Sequence, residues 1–405
     1  MKKLAVLFPG QGTQAWGMGK DLYESHSTAK AVFDEADKIL GYSFSKKLFE
    51  NDSTEIMETE VTQLAIFLTS VAYYKVFVED NDILADSYAG HSVGEYAALV
   101  CAGVVSFEDG LLLIRKRGQL MQQVSERMAD GGMLAVMGLT FSEAEEICHD
   151  CRKDNTEVYI STYNDIRQVV VSGRAEKLNK AKERFEACGA KTKLLEVKTA
   201  FHNPCMMEIV EPMREAIGRL RLASPQGKIY CNVTGKAYAT MDEIYEYLPI
   251  QVSECVRFYD IINEMIADGT DIFIEAGRGK VLSNLLLKNR RGDYDVYPLG
   301  DMQKRSLFLN RISRGIDFGR LYLLGNICGE LISEPRFIYE MGEELYYDIN
   351  KILKQCMQDS VAPTIGQMVQ CIDEYLKIIA ADTNKELDKW QEYKQYFLSE
   401  RAVNE

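Results

Sequence analysis

The sequence predicts an α/β protein: a mainly parallel sheet with helices on both faces, a small inserted unit, and a helical extension after it. Three observations predict it. Short apolar, strand-like runs alternate with helical periods over roughly the first 300 residues. One stretch, about residues 132–198, changes to the order β-α-β-β-α-β. Strand signals stop after about residue 300.

Residues 3–8 form a continuous apolar run ended by Pro9-Gly10, which fits a buried parallel strand and the loop after it. Met1-Lys2-Lys3 and the run behind them resemble the start of a secretory leader, but Pro9-Gly10-Gln11-Gly12 ends the run too early. The spacing predicts helices over 20–40 and 62–79. In the second, Leu64, Ala65, Leu68, Val71, Ala72 and Val76 recur with helical period. A short strand is expected over 84–90, then a helix from near Val93. Another helix, about 107–127, starts after Ser106, a cap with Asp109 at the third helical position.

In the inserted unit, Met133–Leu139, Val158–Tyr163, Gln168–Ser172 and Lys193–Lys198 read as strands. Ser142–Cys151 and Ala175–Cys188 read as helices, the second closed by Gly189. This order is the split βαβ or ferredoxin-like unit. The larger unit resumes with a helix over 203–221, a strand over 228–233, a helix over 256–268, a strand over 271–275 and a helix over 280–289. Helices are then expected over 302–325, 336–359, 364–381 and 383–399, broken by Pro335, Pro363 and Asp382-Thr383. The expected organisation is a large α/β subdomain in two parts (1–130 and 200–300), a small subdomain (131–199) and a helical C-terminal extension (301–405).

Apolar residues make up 46% of the chain, enough for a sizeable core. The formal net charge of −14 makes nucleic acid and anionic membrane poor general partners. No run approaches the roughly 20 consecutive apolar residues of a membrane span. Ten singly scattered cysteines fit a reducing compartment, so a cytoplasmic protein is expected. Cys148-His149-Asp150-Cys151 has a C-x-x-C spacing, but a closed zinc site needs four ligands and no second pair lies nearby. The end of a surface helix is the plainer reading, and no metal is expected.

The strongest local motif is Gly90-His91-Ser92-Val93-Gly94, a G-x-S-x-G between a strand and a helix. Such a turn thrusts a serine out at the top of a sheet as a nucleophile, and the next backbone N–H can hold an oxyanion. Short glycine patterns also arise by chance or cap helices. A serine needs a base, and the chain has four histidines: His26, His91, His149 and His202. His91 adjoins the serine, so its side chain should diverge. His26 and His149 lie in polar helical segments. His202, in Ala200-Phe201-His202-Asn203, sits on a junction loop that can face a cleft; a loop histidine bonded to the backbone is the alternative. Gly10-Gln11-Gly12 can offer backbone N–H groups to an anion or be a plain turn. It lacks the spacing of a phosphate-binding loop. Arg115-Lys116-Arg117 makes its helix basic. That is either a solvated face or an arginine placed to hold a carboxylate in a two-pronged bond.

Together these residues resemble the malonyl-CoA:acyl-carrier-protein transacylases of fatty acid synthesis and the acyltransferases of polyketide synthases. The motifs are Phe8-Pro9-Gly10-Gln11-Gly12, Thr62-Gln63, Gly90 to Tyr96, Arg117, Asn164, Ala200-Phe201-His202, Gln251, and Glu275-Ala276-Gly277-Arg278-Gly279-Lys280-Val281-Leu282. They span about residues 1–300. The resemblance implies a hydrolase-like core with a ferredoxin-like insert. It implies Ser92 as nucleophile, His202 as base, and Gln251 orienting that histidine through its backbone carbonyl. Gln11 and Val93 would supply the oxyanion N–H groups. Arg117 would pair with the free carboxylate of malonyl, and Gln63, His91, Asn164 and Phe201 would line the pocket. Val93 and Phe201 match the malonyl type, whereas methylmalonyl types tend to carry glutamine and an Ala-Ser-His pattern. Arg278 stands where a proline is common.

The expected reaction is ping-pong transfer of malonyl from its coenzyme A thioester to the phosphopantetheine thiol of an acyl carrier protein, with no bound cofactor. An extension after residue 300 is a feature of freestanding acyltransferases that serve polyketide synthase modules in trans. An acyl hydrolase that clears stalled carrier proteins uses the same serine and histidine, but has no use for a buried arginine. A non-catalytic scaffold docking carrier proteins is the other alternative.

Overall fold

The computed structural model describes residues 3–300, apart from 51–52, 82, 129, 196, 198, 289–291 and 293. The helical extension expected over 301–405 lies outside the described residues.

Two sheets organise the chain. The first has the order β7-β2-β1-β8-β9, built from β1 (Lys3–Phe8), β2 (Ser87–Gly90), β7 (Lys228–Ile229), β8 (Thr270–Glu275) and β9 (Asp295–Pro298). Every pairing in it is parallel. Leu4 to Phe8 are all buried, because helices cover both faces and an alternating strand would leave polar residues inside. The second sheet is antiparallel, with the order β4-β5-β3-β6. Its strands are β3 (Gly131–Met137), β4 (Val158–Asp165), β5 (Gln168–Arg174) and β6 (Lys191–Leu194). Helices Phe141–Lys153 and Ala175–Ala187 cover it, so the observed element order is the expected β-α-β-β-α-β.

Helix boundaries differ in places from the sequence reading. The helix expected over 20–40 is two, Lys20–Ser25 and Ser27–Leu40, because His26 is extended (φ −132°, ψ 123°). The segment 203–221 is a 3₁₀ turn, Pro204–Ile209, followed by helix Val210–Ile217. The last strand of the small sheet, Lys191–Leu194, starts two residues earlier than expected. Helices Phe44–Glu50 and Asp242–Ile250 and strand β9 were not anticipated. Cys148 and Cys151 are buried in the small core while His149 stays exposed, so the C-x-x-C is two core positions one helical turn apart. No cluster of metal-binding side chains exists among the described residues.

Helix Thr59–Asn81 is long and apolar enough to cross a membrane, but 89% of its most apolar window is buried in the protein, as in a core helix. It packs on helix Phe107–Met128. Gly118 permits the close approach: a Cβ there would lie 2.7 Å from the Cα of Glu60.

Two glycines set the turn after β2. A Cβ on Gly90 would fall 1.9 Å from the carbonyl carbon of Gly94, and one on Gly94 would fall 2.1 Å from the Phe8 carbonyl oxygen. Both neighbours are backbone and cannot yield. Gly94→Ala is therefore expected to cost about 3 kcal/mol or more of stability, measured as a lower urea midpoint. An unchanged midpoint would show that the turn relaxes freely.

Candidate active site

Ser92 joins β2 to helix Val93–Cys101 with φ 54° and ψ −110°, a conformation non-glycine residues rarely adopt. Such strain persists only where the surroundings hold it. Asn232, just past β7, is one such support. It accepts from the Ser92 backbone N–H at 2.7 Å and donates to the Gly90 carbonyl at 2.7 Å. The loop after β1 closes against the turn from the other side, since a Cβ on Gly10 would meet the His91 carbonyl oxygen at 2.7 Å. Gln11 belongs to that loop. Val93 opens its helix, where the first N–H groups have no intrahelical acceptor.

His202 comes from the junction after the small sheet, and it too has a positive φ, 51°. Two serines of that sheet pin its loop. Ser161 Oγ on β4 donates to the Phe201 carbonyl at 2.8 Å, and Ser172 Oγ on β5 accepts from Asn203 Nδ2 at 3.1 Å. His202 Nε2 lies 2.7 Å from Ser92 Oγ. His202 Nδ1 lies 2.8 Å from the Gln251 carbonyl and 3.2 Å from that of Glu254. A carbonyl can only accept, so Nδ1 carries the hydrogen and Nε2 is left free to accept from the serine hydroxyl. Burial, aided by the nearby Arg117 cation, pushes the His202 pKa down to about 3. The imidazole is thus neutral at pH 7.

Arg117 is fully buried, at 0% exposure. It sits on the apolar stripe of its helix with Gly110, Ile114, Met121 and Val124, so the solvated-face reading is set aside. Its Nη2 donates to Ser92 Oγ at 3.1 Å and to Gln251 Oε1 at 3.0 Å, and its Nη1 donates to Gln63 Oε1 at 2.7 Å. The guanidinium lies 5.3 Å over the Tyr96 ring. These partners are neutral. Among the described residues no carboxylate lies within ion-pair distance of Arg117.

The remaining expected residues fall nearby but not all on the serine. His91 Nε2 lies 2.9 Å from Asn164 Oδ1, and the His91 ring stands 5.4 Å from Phe258. Asn164 therefore braces His91. Phe201 is buried in an apolar cluster with Met121, Met133, Val170 and Val252. Glu275 has a structural task in the late glycine motif: its carboxylate accepts from Leu282 N at 3.2 Å and Ser283 N at 2.8 Å, capping the helix that follows.

Two residues of the site carried no assignment from sequence. One is Asn232, whose position after a two-residue strand offers no local signal. The other is Glu95, fully buried, whose carboxylate accepts from Gln251 Nε2 at 2.6 Å, Tyr238 Oη at 2.5 Å and Asn232 N at 3.3 Å. Burial raises its pKa to about 7, against the lowering effect of those donors.

The acyl transferase domain family model matches residues 6–299. The malonyl CoA-acyl carrier protein transacylase of Bacillus subtilis is 38% identical over 293 residues, covering 72% of this chain and 92% of that protein. The polyketide biosynthesis malonyl CoA-acyl carrier protein transacylase BaeC of Bacillus velezensis is 35% identical, covering 70% of this chain and 95% of its own. Among solved structures, the malonyl CoA-acyl carrier protein transacylase of Clostridium perfringens superposes with a TM-score of 0.73 at 31% identity, over 80% of this chain and 99% of that one. The acyltransferase domain from the second module of the salinomycin polyketide synthase gives 0.71 at 29% identity, over 78% and 75%. With the serine, histidine and arginine motifs gathered at one point of a matching fold, this chain is a member of the acyl transferase domain family.

Proposed function

We propose that the chain transfers a malonyl group from malonyl-CoA to the phosphopantetheine thiol of an acyl carrier protein, through a malonyl ester on Ser92. The observation that carries this reading is the three-way contact of Ser92 Oγ, His202 Nε2 and Arg117 Nη2, at 2.7 and 3.1 Å.

In the first half, Ser92 Oγ attacks the thioester carbonyl carbon and its proton passes to His202 Nε2. The oxyanion so formed is held by the N–H groups of Gln11 and Val93, each worth about 3 kcal/mol. The C–S bond then breaks, and coenzyme A leaves as a thiol with the proton from His202. In the second half the phosphopantetheine thiol attacks the ester. His202 takes the thiol proton and returns it to Ser92 Oγ as the C–O bond breaks. The Gln251 carbonyl replaces the acid of a serine triad, fixing the tautomer without a charge.

Arg117 is the selector. A cation buried without a counter-charge is costly, and the free carboxylate of malonyl supplies one. An uncharged acyl group does not. The antiparallel unit, ferredoxin-like in its strand order, serves here as the carrier of the histidine, and the parallel sheet as a hydrolase-like carrier of the serine. We assign the two parts of the large subdomain to 1–130 and 200–300 and the small one to 131–199. A cytoplasmic setting fits the singly scattered cysteines; service to polyketide synthesis fits the name of BaeC, with fatty acid synthesis the other setting, and service to synthase modules in trans fits a chain that continues past the family match at residue 299. An acyl hydrolase is disfavoured by the buried arginine.

Three outcomes are expected. Intact mass after exposure to malonyl-CoA should show one malonyl adduct that Ser92→Ala abolishes, and a carrier protein should discharge it faster than water does. Free malonate as the main product would favour the hydrolase. In Arg117→Ala, the preference for malonyl-CoA over acetyl-CoA should fall about tenfold to a hundredfold, the worth of a charged hydrogen bond. A retained preference would mean that another group selects.

The third outcome concerns His202. In ¹⁵N NMR it should stay neutral and Nδ1-protonated down to pH 5, where an ordinary histidine, with a pKa of about 6.5, is mostly charged. Because the unfolded chain takes up this proton and the folded one does not, His202 lowers stability as pH falls from about 6.5 toward 3. An imidazole that titrates near 6.5 would contradict the buried geometry.

A further inference from the structure

The Gln251 side chain has one accepting end and one donating end. Its Oε1 receives Arg117 Nη2 at 3.0 Å. Its Nε2 faces three acceptors: the Ser92 carbonyl at 2.9 Å, Glu95 Oε2 at 2.6 Å and Asn232 Oδ1 at 3.5 Å. The amide therefore bridges a buried cation and a buried carboxylate. Turned the other way, it would aim its N–H groups at Arg117 and its oxygen at three acceptors. The shortest of the three contacts, and the one with an acidic oxygen, is Glu95.

Both oxygens of Glu95 are in use. Oε2 takes the Gln251 amide, and Oε1 takes the Tyr238 hydroxyl and the Asn232 N–H. Only a carboxylate offers two accepting oxygens at this point. A glutamine of the same shape has one, so its NH₂ must face either Gln251 Nε2 or the pair of donors on the other side.

We infer that Glu95 is a positioning residue: it fixes which end of the Gln251 amide faces Arg117, and so keeps the guanidinium aimed at the acyl group on Ser92. It touches neither substrate nor reacting atoms. Its effect is expected on malonyl selection more than on acyl transfer in general, because the Gln251 backbone carbonyl that holds His202 does not depend on the side chain. The inference rests on the functional reading above, in which Arg117 selects the carboxylated acyl group.

The test measures kcat/KM for malonyl-CoA and acetyl-CoA separately, on the full chain, in Glu95→Gln and Glu95→Asp. The aspartate keeps the charge but is one methylene too short to reach Gln251, and it gives the readout if the glutamine variant fails to fold. In either variant the malonyl value should fall more than the acetyl value, so that the malonyl to acetyl ratio drops about tenfold. Tyr238→Phe removes a donor from the same carboxylate without touching its Gln251 side. It should lower Tm while leaving the ratio within about twofold. A ratio unchanged in both Glu95 variants, or malonyl and acetyl values falling together, would overturn the assignment and leave Glu95 a support of the fold. A wild-type chain that loads no acyl group on Ser92 would instead sink the functional reading itself.

Discussion

A guanidinium held entirely by neutral acceptors is the constraint around which this site is arranged. Arg117 is at 0% exposure and is met by two amide oxygens, a serine hydroxyl and an aromatic face. Burying a cation costs several kcal/mol unless it is paired and hydrogen-bonded. Here both Nη atoms are hydrogen-bonded while Nε has no partner among the described residues, and the nearest carboxyl group of the network, Glu95, stands behind Gln251. That spacing keeps the ion inside the fold without neutralising it. Gln63, Gln251 and the helix stripe bearing Arg117 are all fixed by that requirement.

The same economy appears in the backbone. Ser92 and His202 both carry positive φ angles, 54° and 51°, and they come from different sheets. Neither strained turn is held by its own segment. Asn232 and the loop after β1 hold the serine, and Ser161 and Ser172 hold the histidine loop. The 2.7 Å contact between them is thus set by two independent frameworks meeting. The buried contact also explains why the imidazole stays neutral: burial beside a cation disfavours a second positive charge.

Much of this was legible in the sequence, for physical reasons. The Gly90 to Gly94 pattern is compulsory because a Cβ at either end strikes backbone. The scarcity of histidines left few bases to choose from. Strand β1 announces itself by its unbroken apolar run, and the second small-sheet helix by the Gly189 that closes it. Other features were not legible. Arg117 on a basic helix reads equally well as solvated, and only the packing of its stripe decides. Asn232 lies 140 residues from the backbone it clamps, and no local pattern records so distant a partner. The break at His26 is likewise invisible, because apolar residues continue at helical spacing across it. Gln251 was anticipated for its carbonyl, while the division of labour along its side chain came only with coordinates.

The acceptor that orients His202 is a main-chain atom. In a serine triad that place belongs to an acid, which a single codon change can erase. No substitution at position 251 deletes a carbonyl; only a shift of the turn 251–254 can withdraw it. The histidine's alignment is therefore guarded against drift in sequence and exposed to drift in loop shape. Insertions or deletions near that turn, rather than replacements within it, are the changes by which such a protein would lose its base.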